Sequence, residues 1–356
     1  MAITGNLPPT PAADSETGGN IVYRFTNTAI VAVEHVDAPH VVTSAQLDDA
    51  IGETLTRLGL APGMLANVAG IQERRWYDDD IVFSDAAAEA GAVALAAAGV
   101  PPARIGLLID TSVSRARLEP SEAVAVHDRL GLGTHCLNFD LSNACLGFVN
   151  GMTLAAIMID SGQIDYALIV DAESARTVQE ATLARLAEPS STPEDIFSDF
   201  ATLTLGSGAV AMVLGRASDH PDRPRLVGGV GRAATEHNQL CQGDMERMVT
   251  DTKRLLTAGL EVAAATMADA AHDFDWADMD HYILHQVSTV HCSALTAQLG
   301  IDSERVPLTF PTRGNIGPAA IPITLSIHQN KIRAGDRVLL MGMGSGINAA
   351  ALEIAW

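Results

Sequence analysis

The stretch SNACLGFVNGMTLAAIMIDSGQIDYALIVDAES, residues 142–174, decides the fold, because the chain writes its pattern twice. In the first copy it is preceded by RIGLLIDTSVS (104–114) and followed by LGSGAVAMVLG (205–215). The second copy is MDHYILHQVST (279–289), then GNIGPAAIPITLSIHQNKIRAGDRVLLMGMGSG (314–346), running directly into INAAALEIAW. Each copy passes from an apolar strand through a polar corner into a helix of small or branched apolar residues. A Gly-Gln or Ala-Gly-Asp turn, a second strand and a Gly-Ser-Gly entry into a third strand follow.

The strands are apolar throughout rather than alternating, so both faces of each sheet are expected to be covered, with helices around and between them. The expectation is an α/β protein of two like halves: a loose tail over 1–20, a first half over 21–220 and a second over 221–356. An acidic, Pro/Ser-rich insertion at about 175–201, containing LAEPSSTPEDIFSDF, suits a cap or a dimer-side loop.

Composition narrows the function. The 356 residues are 47% apolar and 18% charged, which describes a folded chain large enough for two cores. A net charge of −21 works against nucleic acid and anionic membrane surfaces, and no apolar run is long enough to span a bilayer. The four cysteines form no disulfide framework and no C-x-x-C pair, and the first twenty residues lack the basic and apolar regions of a signal peptide. A cytoplasmic enzyme acting on a small or acyl-type substrate is the reading these features favour. The densest basic spots, Arg74-Arg75 and Lys253-Arg254, read as solvated helix faces.

Three residues sit at the corners where strands give way to helices, which is where α/β proteins gather their chemistry. Cys145 opens the first long helix, where free N–H groups and the helix dipole favour thiolate over thiol. His285 ends the first strand of the second copy, and Asn315 occupies the corner equivalent to that of Cys145, with Asn143 opposite Asn315 and Cys145 opposite Gly317. A histidine and an asparagine side chain can together donate hydrogen bonds to a thioester oxygen as it gains negative charge.

The motifs NACLGFVNGM, HQVS, GNIGPAAIP and GMGSGIN resemble the active-site motifs of the thiolase superfamily, in its ketoacyl synthase III branch. HVDAPH (35–40), DTSVSRARLEPS (110–121) and RMVTDTKRLL (247–256) are similar to the OleA group, head-to-head condensing thiolases that join two fatty acyl-CoA molecules. The resemblance implies the thiolase fold, duplicated halves of βαβαβ type in five layers, α-β-α-β-α. It further implies that Cys145 accepts an acyl group, that His285 and Asn315 form one oxyanion hole, and that backbone amides of Cys145 and the Gly344-Ser345 region form another.

In this superfamily the carbanion arises either by decarboxylation or by deprotonation through a second cysteine in the C-terminal glycine-rich loop. GMGSGIN has no cysteine, so a non-decarboxylative Claisen condensation needs another base. The resemblance implies Glu119, reaching across a dimer interface; burial in an acyl-lined site would raise its basicity. Type III synthases usually hold the coenzyme A adenine end with a Trp and an Arg where this chain has Met64 and Val68, so acetyl-CoA priming is disfavoured and the CoA contacts stay unassigned.

The implied function is condensation of two long-chain acyl-CoAs to a 2-alkyl-3-keto acid, feeding olefin or β-lactone synthesis, with no cofactor beyond the substrate's coenzyme A. The implied assembly is a homodimer, with a heterodimer possible within the group. The rival readings are a decarboxylating 3-oxoacyl-ACP synthase III, in which Glu119 is structural, and a companion subunit of a heterodimer. The i, i+4 histidines of HYILH read as strand rather than metal helix, His35 and His40 read as loop residues, and GVGRAA lacks the helix of a dinucleotide site.

Overall fold

The computed structural model describes residues 19–356. Most of the expected tail, 1–18, lies outside them, but Asn20 is tied down: its amide donates to the Thr266 carbonyl and accepts from Arg232.

The strands are β1 Ile21–Arg24, β2 Thr28–Asp37, β3 His40–Thr43, β4 Glu73–Trp76, β5 Ile105–Asp110, β6 Leu137–Asp140 and β7 Tyr166–Glu173. They continue with β8 Gly208–Arg216, β9 Arg225–Ala233, β10 Cys241–Gly243, β11 Met248–Thr250, β12 His281–Leu284, β13 Arg337–Gly344 and β14 Asn348–Ala355. Ten of them run in the order β12-β13-β14-β9-β2-β8-β7-β5-β6, with β1 also on β9. At the middle, β9 and β2 share only the pair Ala29–Arg225, so the run divides there into two sheets.

The two sheets repeat one another. In the first, β2-β8 and β8-β7 are antiparallel while β7-β5 and β5-β6 are parallel. In the second, β9-β14 and β14-β13 are antiparallel and β13-β12 is parallel. The duplication read from 142–174 and 314–346 is therefore a duplication of topology.

Between the sheets lie the two helices that follow the corners, Gly147–Asp160 and Ala320–His328. Phe148, Met152 and Ile159 of the first and Ile321, Ile323 and Leu325 of the second share one core with inward residues of both sheets, such as Ile109, Met212, Leu340 and Leu352. Complete burial of side chains this size stabilises by about 1.5–3 kcal/mol each. Gly147 lets the first helix approach β5, since a Cβ there would stand 2.9 Å from the Thr111 carbonyl.

The opposite faces are covered too. Helix Phe83–Ala98 lies on the first sheet over Leu108, Leu168 and Val213. Helices Thr252–Ala270 and Thr289–Leu299 lie on the second, with Leu284, Leu339 and Ala351 beneath them. The layers thus alternate helix, sheet, helix, sheet, helix, and β7, buried along its whole length, shows why the strands carry no polar alternation.

Several sequence expectations change. The insertion forms two helices, Arg176–Leu186 and Pro193–Leu203. Arg74 is on strand β4 rather than a solvated helix face, and is fully buried, donating to Ser44 Oγ and the Leu203 carbonyl. His35 lies within β2, bonded to Ser326, and His40 opens β3, so neither is a loop residue.

Candidate active site

The corner between β6 and the first central helix carries Cys145. Its predecessor Ala144 has φ +46°, a left-handed conformation that a residue with a Cβ holds only at a cost of order 1 kcal/mol or more. The Asn143 carbonyl accepts from the Leu146 amide, and the Asn143 side chain donates to Asn150 Oδ1 and accepts from the Asn348 amide, 2.7 and 3.0 Å. Asn348 begins β14, so the nucleophile corner is laced to the glycine-rich turn that follows β13. Gly344 is required there: a Cβ would meet the Asn143 carbonyl at 2.6 Å.

The equivalent corner carries Asn315. Its backbone is fixed by the Thr204 carbonyl and the Gly206 amide, and its Oδ1 accepts from the Gly317 amide at 3.0 Å. That contact commits the carbonyl end of the side chain, so the NH2 end is the group left to donate. His285 follows β12, its amide bonded to the Met341 carbonyl.

One cavity of about 610 Å³ is lined by Cys145, His285, Asn315, Gly344 and Ser345 together. The hairpin β10–β11 contributes Cys241, Met245 and Met248 to its wall, and the inserted helices contribute Val178 and Ala201. Five of the six residues assigned from sequence therefore meet in one place. Glu119 does not: it is exposed on the loop before helix Glu122–Arg129 and lines no part of this cavity within its own chain.

Burial decides the protonation states. It pushes the Cys145 thiol up to about 12, aided by neighbouring Cys241 and Glu173, and so works against the thiolate that the helix start favours. Desolvation opposes the helix start because the anion would sit among apolar walls with few donors. His285 is pushed down to about 3 by burial, with His291 beside it, and is neutral at physiological pH. Its Nδ1 is buried without a hydrogen-bond partner, an arrangement tolerable for a lone pair and costly for an N–H. A proton on Nε2 suits that arrangement and would leave His285 able to donate into the cavity.

Three pocket residues escaped the sequence reading: Glu173, Cys241 and His291. Glu173 ends β7, and its place with Asp171 at the end of an apolar run was its only signal. Cys241 and His291 had none, because their place depends on how the β10–β11 hairpin and helix Thr289–Leu299 fold back. Among the described residues no helix is long and apolar enough to cross a membrane.

Comparison with known proteins agrees with this geometry. The 3-oxoacyl-[acyl-carrier-protein (ACP)] synthase III family matches residues 139–226, and the C-terminal family of that synthase matches residues 270–356. The acyl-CoA:acyl-CoA alkyltransferase of Xanthomonas campestris is 46% identical over 93% of this chain and 99% of its own length; that of Shewanella oneidensis is 32% identical over 94% and 100%. The crystal structure of X. campestris OleA bound to cerulenin superimposes with a TM-score of 0.92 at 45% identity, covering 94% of this chain and 98% of that one. A cysteine-to-serine form of the same enzyme holds lauric acid and lauroyl-CoA, with a TM-score of 0.91 at 45% identity over 93% of this chain and 100% of that one.

Proposed function

Since the chain belongs to the OleA family of thiolase-fold condensing enzymes, whose acyl-CoA:acyl-CoA alkyltransferase reaction is a Claisen condensation, we propose that Cys145, His285 and Asn315 carry that reaction here and that Glu119 of a second copy supplies the base. The observation that carries this reading is the single cavity in which the nucleophile, two side-chain donors and the Gly344-Ser345 turn converge. Its glycine-rich turn has no cysteine to act as base.

In the first half-reaction the Cys145 sulfur attacks a long-chain acyl-CoA. The tetrahedral oxyanion is held by the amides of Cys145 and Gly344, and the carbon–sulfur bond to coenzyme A breaks. The attacking species is the Cys145 thiolate, and the proton it gives up ends on the departing coenzyme A sulfur, so the exchange is proton-neutral overall. In the second half-reaction Glu119 removes the α-proton of a second acyl-CoA. His285 and Asn315 donate to the enolate oxygen, and its carbon attacks the acyl-Cys145 carbonyl, expelling the Cys145 sulfur. The product is a 2-alkyl-3-ketoacyl-CoA, and hydrolysis gives the 2-alkyl-3-keto acid, a precursor for long-chain olefin or β-lactone synthesis. No cofactor takes part; coenzyme A enters with the substrates.

The base in trans is supported by what surrounds Glu119. Leu118 beside it is 97% exposed, Val113 at the root of the same segment is about half exposed, and β6, whose Asp140 holds the segment's far end, is the open edge of its sheet among the described residues. An apolar rim beside an unpaired strand suits pairing with a second copy, which would carry Glu119 away from its own solvent and toward a neighbouring pocket.

The test is complementation with myristoyl-CoA as sole substrate, read by mass spectrometry. Cys145→Ala and Glu119→Ala are expected to give no condensed product separately, and to regain it when unfolded and refolded together, because the mixed dimer holds one pocket with both groups. No recovery in a demonstrated mixed dimer sinks the base in trans. Product that appears only with malonyl thioester makes the chain a decarboxylating synthase.

A further inference from the structure

Beyond the end of β5, side chains take over the pairing with β7 that the β5 backbone gives up. The Thr111 amide still donates to the Val170 carbonyl, but next the Ala172 amide donates to Ser112 Oγ at 2.9 Å and the Ser174 amide to Ser114 Oγ at 3.0 Å. Glu173 closes this zip. Its carboxylate accepts from the Val113 amide at 2.6 Å, the Ser114 amide at 3.2 Å and the Ser114 hydroxyl at 2.7 Å.

Past Ser114 the chain leaves for the exposed segment that carries Glu119. That segment is held at its far end by Asp140, whose carboxylate accepts from the Glu122 and Ala123 amides, and in the middle by the Ala116 amide on Glu122. Glu173 is thus the anchor on the near side of Glu119. It is also the anchor that belongs to the pocket, lining the same cavity as Cys145. Its Cδ lies 3.7 Å from where a Cβ on Gly317 would stand, beside the Asn315 corner.

Resting on the base role assigned to Glu119 above, we propose that Glu173 is a positioning residue for the condensation half-reaction, a pocket carboxylate that fixes the root of the loop presenting Glu119. Three donors converge on it, and only a group with acceptors alone can meet them all. A glutamine in its place turns one acceptor into a donor pointed at a backbone N–H, which loses a hydrogen bond and sets donor against donor. Burial pushes the Glu173 carboxyl up, and the three donors are what hold a buried acid in one orientation. The acylation half-reaction uses neither Glu119 nor this loop, so the two half-reactions should separate.

The experiment compares wild type, Glu173→Gln and the milder Ser114→Ala, which removes one donor and leaves the carboxylate. Acyl transfer to Cys145 is followed by intact mass, condensation by product formed from myristoyl-CoA, and the loop by hydrogen exchange at the Val113 and Ser114 amides. The expected result for Glu173→Gln is acylation no slower than wild type, since losing the Glu173 charge only eases ionisation of Cys145, with condensation down about 10- to 100-fold and faster exchange at both amides. Ser114→Ala shows the same pattern more weakly, and decides the matter should Glu173→Gln fail to fold.

Unchanged condensation with faster exchange overturns the proposal, as does an equal loss of both half-reactions. Lost condensation with unchanged exchange also overturns it, and makes Glu173 itself the proton acceptor. If Glu119→Ala condenses normally, the base reading has failed instead, whatever Glu173 does.

Discussion

Asp110 and His285 occupy the same position in the two halves. Each follows the last apolar residue of the parallel strand, β5 or β12, on which its half's corner depends, and RIGLLID aligns with DHYILH one strand to the other. Burial disfavours the charged form of both. It pushes Asp110 up to about 7 and His285 down to about 3. The difference is where each faces. Asp110 turns back on its own chain, accepting from the Ser112 amide at 2.9 Å, and lines no part of the cavity that His285 shares with Cys145. Duplication supplies equivalent places for polar groups; the cavity decides which of them does chemistry.

The strongest way to break that comparison is at the cavity. His285→Ala or Asn315→Ala removes one enolate donor while leaving Cys145 and its amides in place, so condensation should fall about 10²- to 10³-fold with acylation largely retained. Single-turnover acylation and steady-state product formation measured on the same variants check this. An equal fall in both would mean that these donors serve the tetrahedral intermediate of acylation and not the enolate.

Asp110→Asn sharpens it from the other side. The native Asp110 keeps its proton up to about pH 7, whereas the unfolded chain loses it near the ordinary carboxylate value of 3.8. Between these values the folded form binds more protons, so this group's contribution to stability is fully present below pH 4 and is lost as pH rises through 7. His285 has the opposite sign: the unfolded chain takes up a proton near 6.5 and the folded one only near 3, so stability falls as pH drops through that window. Asparagine at 110 keeps the acceptor for Ser112 and cannot ionise. The variant's Tm relative to wild type should rise steadily from pH 4 to 7, corresponding to as much as about 1.4 kcal/mol per pH unit. A flat difference would show that Asp110 is ionised in the folded protein.

The duplication, its two corners and the three residues Cys145, His285 and Asn315 were legible because each rests on local pattern: uninterrupted apolar strands, small-residue helices, glycines at turns. Burial was not legible. The same helix start that favours a thiolate lies on the wall of a largely apolar cavity, where desolvation opposes it. Arg74, read as a solvated cation, is enclosed by Ser44 and Leu203, residues far from it in the chain. The resemblance pointed to Glu119, but the link from its loop to Glu173 through Ser114 was not legible, because that junction pairs residues about sixty positions apart.

The outer helices extend the comparison to substrate entry. Helix Phe83–Ala98 has Asp85 in its first turn and no side-chain cap, whereas Thr252–Ala270 is capped by the Asp251 carboxylate and carries Lys253 and Arg254 in its first turn. Cations at a helix start oppose the dipole and cost it a few tenths of a kcal/mol each, which the Asp251 carboxylate, accepting from the Arg254 amide, offsets. Thr252 and Leu255 line the cavity, which places the exposed Lys253 and Arg254 beside it. On a chain of net charge −21, an incoming coenzyme A needs a local positive field of this kind. Replacing both by alanine should raise KM for acyl-CoA about two- to fivefold at low salt with kcat unchanged, the difference closing as ionic strength shortens the Debye length to a few ångström. A KM that stays unchanged at low salt would place the phosphates elsewhere and leave the two cations as an ordinary solvated face.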